Sequence, residues 1–135
     1  NAVTHRNLGD AYQRLGRASD ARAAYREAVR LTQVDLSVNP RDPLAHASLA
    51  VYAVKAGEPA LARHHLELAR DLAPSNVEVL YRTAVVRALE RGIEPALEAL
   101  EQAVAGGYSR TEIVADEDLD VLRRHPRFVA LVPRS

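Results

Sequence analysis

The chain contains no cysteine, no methionine and no tryptophan; it has a single phenylalanine, and Lys55 is the only lysine among eighteen basic residues. Without cysteine there is neither a disulfide framework nor a thiolate zinc site, which is compatible with a cytoplasmic setting. Eighteen acidic residues balance the eighteen basic ones, so no net field draws the chain toward nucleic acid or an anionic membrane. No apolar run approaches the roughly 20 residues that span a bilayer, and the N-terminus lacks the basic start and apolar core of a secretion signal. The expectation is a soluble chain with neither nucleic acid nor membrane as a partner. A glycine-rich phosphate loop and a Gly-x-Ser-x-Gly elbow are also missing, so no catalytic residue and no cofactor is assigned, and the chain is not expected to be an enzyme. The scarcity of lysine is a coding bias of the kind a GC-rich genome produces. The missing methionine, with Asn1 placed where a helix is already under way, suggests a detached C-terminal module of a longer protein.

What is present is 47% hydrophobic beside 27% charged residues in a chain of 135, enough for one domain with a core. The stretch from Leu49 to Pro74 sets its plan. Leu49, Ala50, Ala53 and Val54 fall on one helical stripe, Ala62, Leu66 and Ala69 fall on another, and Gly57 interrupts the period between them. That is a helical hairpin with more apolar surface than it can cover alone, so it needs neighbours of its own kind. Leu8, Gly9, Gly16, Ala21 and Ala28 precede Leu49, Ala50, Gly57, Ala62 and Ala69 by 41 residues each, and Ala96, Leu100 and Ala103 follow Ala62, Leu66 and Ala69 by 34. Three hairpins are therefore expected, at about 2–39, 43–73 and 76–105, in a single domain of residues 1–135. The seven extra residues after Ala28 amount to two helical turns, and so extend the second helix by about 10 Å without rotating its faces. Asn39-Pro40 stops that helix, and Asp42 caps the next with Pro43 in first position. Ser19 is expected to cap the second helix, and the first helix of hairpin three to run one residue longer, to Gly92.

Beyond Gly106-Gly107 the pattern changes. Ser109 with Glu112 forms a capping box, Asp116 or Glu117 can open a second short helix and Pro126 a third, making a helical tail over 109–132. Leu119, Leu122, Phe128 and Leu131 are its apolar side chains, suited to cover the open face of hairpin three. Five histidines, His5, His46, His64, His65 and His125, have no metal-binding spacing, since His64 and His65 point about 100° apart and no pair lies four residues apart with a carboxylate companion. The acidic run Asp116 to Asp120 lacks the glycine and distant glutamate of a calcium loop. No metal site is assigned.

Leu8, Gly9, Tyr12, Ala21 and Tyr25, and again Leu49, Ala50, Ala62, Leu66 and Pro74, resemble the tetratricopeptide repeat family over roughly residues 2–105, with 34 residues as the shared period. His5 and His46 stand where that pattern has an aromatic, and Thr83 and Arg87 where hairpin three should carry Leu and Tyr. The resemblance implies an all-α, TPR-type α-solenoid with short C-terminal capping helices, and its tail is similar to those following such repeats in larger bacterial multidomain proteins. It implies a non-catalytic scaffold that binds a protein or peptide in a concave groove lined by the first helix of each hairpin. Here the groove residues would be Arg6, Asp10, Gln13, Ser48, Val51, Lys55, Tyr81, Arg82 and Val85, with Val51 and Val85 on the floor. Some family members clamp a peptide carboxylate there. In this chain Asp10, Ser48 and Glu78 replace three of the clamp positions, so the implied ligand is a segment with an apolar anchor and acidic flanks. The alternatives are self-association through the exposed N-terminal hairpin, and regulation of other domains within a longer signalling protein.

Overall fold

The computed structural model describes residues 1–132. The chain forms α1 (Ala2–Arg14), α2 (Ala18–Val38), α3 (Pro43–Lys55), α4 (Pro59–Leu72), α5 (Val77–Leu89), α6 (Ile93–Ala105), α7 (Arg110–Ala115), a 3-10 helix (Glu117–Leu122) and α8 (Pro126–Leu131), and no strand occurs among the described residues. Short polar side chains start most of these helices. Asn1 accepts from the Thr4 amide, Asn76 from Glu78 and Val79, and Asp42 from Leu44 and Ala45, with Pro43 following as expected. Ser19 is not a cap: α2 begins one residue earlier, behind Arg17, whose side chain makes no capping bond. The extended α2 is observed, with 21 residues against 13 in α1 and α3.

Four helix ends close alike. After α1, α3, α5 and α6 an amide bonds back five residues, from Arg17 to Tyr12, Glu58 to Ala53, Gly92 to Arg87 and Tyr108 to Ala103, and the preceding amide bonds back three. This double bond satisfies the last carbonyls and requires a left-handed residue at its centre. Gly16, Gly57 and Gly107 supply it with φ of 75°, 80° and 99°. In hairpin three the residue is Arg91, at φ 62°. It lies 34 residues after Gly57, so the repeat register runs through Arg91, and the expected longer helix ending at Gly92 is corrected: α5 has 13 residues like its counterparts. The helix length set by packing prevails over the local preference for glycine. A side chain in that conformation is strained by about 1–2 kcal/mol. Arg91→Gly is therefore expected to raise stability by about 0.5–1 kcal/mol after the extra freedom of glycine in the unfolded chain is deducted, measurable as a shifted urea midpoint; a midpoint that falls would contradict this.

The chain divides into two compact units, Asn1–Leu72 and Ala73–Ser135. In the first, α1 packs on α2, α2 on α3 and α3 on α4. Ala21, Ala28, Ala47, Ala50, Ala53, Ala62 and Ala69 are buried there, small side chains allowing close helix approach, and Leu49 is buried beside them. In the second, α5 pairs with α6, the 3-10 helix packs on α5 and contacts α6, and α8 packs on α6. Leu119, Leu122 and Phe128 of the tail are buried, as is Ile113, which the sequence reading did not single out, whereas Leu131 stays half-buried. Thr83 replaces an apolar repeat residue yet is buried without penalty, because its hydroxyl donates to the Val79 carbonyl at 2.8 Å.

Candidate functional site

Three candidate groove residues of the first unit meet around one carboxylate. Asp10 on α1 accepts at Oδ1 from Lys55 Nζ on α3 (2.8 Å) and from the Tyr25 hydroxyl on α2 (2.6 Å). Arg6, one helical turn before it, lies 3.7 Å from Oδ2. Lys55 is drawn inward until its side chain is only 7% exposed, with its ammonium 5.2 Å from the centre of the Tyr25 ring. Burial pushes the Asp10 carboxyl up, but the hydrogen bonds from Lys55 and Tyr25 and the charges of Lys55 and Arg6 outweigh it, holding the group below the usual carboxylate range. The cluster thus ties α1, α2 and α3 together, with Lys55 turned to a partner inside the protein. Gln13 is exposed and Ser48 half-buried on these same first helices. Val51 is 6% exposed, so little of it is offered as an apolar floor.

The second unit treats its candidates differently. Tyr81 on α5 is buried, stacks on Tyr108 with ring centres 3.9 Å apart and planes 10° from parallel, and donates its hydroxyl to Asp116. Asp116 is also the cap of the 3-10 helix, accepting from the Asp118 amide at 3.0 Å. Burial pushes the Tyr81 phenol well above its ordinary range, and the Asp116 carboxylate adds to this. Burial also raises the Tyr108 phenol, and the nearby Glu112 carboxylate adds to this. The Ser109 half of the expected capping box forms, accepting from the Glu112 amide at 3.3 Å. Val85 is 3% exposed, on the helix where the 3-10 turn packs. Arg82 remains partly exposed and paired with Glu78 at 2.7 Å. In this unit, then, the tail is latched to Tyr81, one of the α5 residues that sequence reasoning assigned to a ligand, through an Asp116 bond that no short-range motif announces.

No group of three or more His, Asp or Glu side chains able to hold a metal ion occurs among the described residues, and none of their helices is long and apolar enough to cross a membrane.

Paired antiparallel helices, a fixed turn closure and charged residues arranged on first helices define an all-α helical-repeat protein of the α-solenoid class. The family model described as Tetratricopeptide repeat matches residues 2–33, the first hairpin without the end of α2, and the later hairpins repeat its architecture. The match over the first hairpin and the helical repeat that continues it support a tetratricopeptide repeat protein. Repeats of this family are in general non-enzymatic modules for contact between proteins. No curated protein matches the chain.

Proposed function

We propose that the chain works as one scaffold domain that holds a protein or peptide segment against the first helices of its hairpins, in a cytoplasmic setting and without nucleic acid. The observation carrying this reading is the Arg6–Asp10–Lys55 cluster, two cations on one carboxylate bordered by exposed Gln13. Its Asp10 carboxylate retains 24% exposure, so a partner can meet charge there without paying to organise it. The buried Val51 shifts the expected partner away from one with a deep apolar anchor, toward a polar segment with acidic groups near Arg6. Arg6→Glu is expected to weaken binding about tenfold at low salt and less at high salt. The check is photo-crosslinking from position 13 in the whole parent protein, compared with crosslinking from exposed Arg26 on α2, followed by titration of the captured segment. Crosslinks from both positions equally, or titrations unaffected by Arg6→Glu, would remove this face.

The other reading is self-association through the first hairpin. It is favoured by Leu8 on α1 and Leu15 just after it, which stand 43% and 71% exposed, although Leu49, the repeat counterpart of Leu8, is fully buried. Sedimentation of wild type and Leu15→Glu separates the two, since only an α1 interface makes the mass depend on Leu15.

A further inference from the structure

Hairpin two contains a pair of histidines, one buried and one half-buried, that the proposed binding face does not use. His46 on α3 is buried; its Nε2 is 2.7 Å from the Pro40 carbonyl and its Nδ1 is 2.9 Å from Nδ1 of His65 on α4. The rings stack with centres 5.1 Å apart. One cluster thus joins the turn after α2, the helix α3 and the helix α4.

Counting protons shows what the arrangement permits. A carbonyl only accepts, so His46 Nε2 carries a hydrogen, and the contact between the two Nδ1 atoms needs one hydrogen and one bare lone pair. The neutral pair satisfies both bonds with His65 donating. A first added proton settles on the remaining nitrogen and leaves both bonds intact. A second cannot, because both Nδ1 atoms would then carry hydrogens and two cations would face each other at bonding distance.

We propose that His46 and His65 form an acid-sensitive latch, closed while the pair holds no more than one excess proton and opened by the second, which frees the α2–α3 turn from α4. The groups around it set the direction. Burial, then the nearby His46 and His64, push the His65 ring down to about 4. On the α2–α3 turn the Asp42 carboxylate is turned to the Leu44 and Ala45 amides and Arg41 is exposed, and no carboxylate offsets the lowering of His65. From α2, Asp35 is exposed near the helix end. A histidine whose folded value lies below its unfolded one takes up its proton more readily once unfolded. The latch's contribution is therefore complete above about pH 6.5 and is lost as the pH falls toward 4.

His65→Asn tests this. The asparagine amide reaches the position of the lost Nδ1, can donate to bare His46 or, turned over, accept from protonated His46, and does not titrate. Between pH 7 and pH 5 the folding constant of wild type should fall about tenfold more than that of His65→Asn, a figure reduced from the full pKa displacement because the ring is half-exposed. Nitrogen NMR of the wild-type imidazoles supplies a second readout that needs no variant: a scalar coupling between the two Nδ1 nuclei at pH 7 that disappears on acidification. Equal acid sensitivity of the two proteins, or no such coupling at pH 7, would overturn the latch. This outcome is independent of where a partner binds.

Discussion

Asp10→Ala should destabilise the first unit by about 2–4 kcal/mol at neutral pH, one of the largest effects of any single substitution on the candidate face. The variant removes the carboxylate that Lys55 and the Tyr25 hydroxyl both use, while the lysine side chain stays folded inward. A buried cation deprived of its counterion typically costs about 3–5 kcal/mol, and the lower range applies here because the carboxylate is partly open to water. The sign with pH follows from the lowered Asp10 value. A carboxyl depressed in the folded state contributes above its unfolded pKa, near 4, and that contribution is lost as acid takes the pH through the folded value. The gap between wild type and variant should accordingly be constant from pH 5 to pH 8 and narrow below pH 4. Removing both charges, in Asp10→Ala with Lys55→Met, should recover part of the loss, since an apolar stem tolerates that site better than an ammonium that has lost the Asp10 carboxylate. Urea titrations of the three proteins decide it. A loss under about 0.5 kcal/mol for Asp10→Ala would mean that the cluster is ornamental surface pairing.

The hairpin plan was readable from spacing because each helix pair must repeat its small and large residues at one register to bury its faces. Two whole turns of insertion kept α2 in phase, and the short helices of the tail announced themselves through Ser109, Asp116 and Pro126. The failures have a common physical origin. Helical periodicity says which residues share a face, but not what arrives to cover it. Val85 and Tyr81 lie correctly on α5, yet the tail segment that engages Tyr81 comes from 35 residues away. Lys55 and Asp10 are 45 residues apart, and neither shows from its own helix that it is the other's partner. The histidine pair did leave a trace. His46 and His65 lie at comparable distances on either side of Gly57, which in an antiparallel hairpin brings them level, but a search confined to pairs on one helix passes over it. Arg91 illustrates the reverse error: a glycine beside the true position attracted the turn, whereas the 34-residue register located it.

The closest contact in the first hairpin yields the other large effect. Gly9 on α1 is buried, and a Cβ placed there would lie 2.5, 2.7 and 2.8 Å from three atoms of the Tyr25 ring. That ring is 2% exposed and its hydroxyl is committed to Asp10, so it cannot swing aside without losing the bond. Gly9→Ala gains about 1 kcal/mol of helix propensity but overpacks a fixed aromatic. The net expectation is a loss of about 2 kcal/mol, and more for Gly9→Val, whose branches add to the clash. The repeat itself provides the compensation. At the same register hairpin two has Ala50 with Leu66, and hairpin three has Ala84 with Leu100, all buried. A small residue opposes a large one, and the total volume is what is kept. Tyr25→Leu alone should also destabilise, by vacating ring volume and the Asp10 bond. Combined with Gly9→Ala, however, it recreates the packing of the later hairpins, so the double variant should be more stable than the sum of the singles by at least about 1 kcal/mol. Strict additivity in denaturation measurements would show that these two positions do not share a packing site, and the register linking the three hairpins would have to be redrawn.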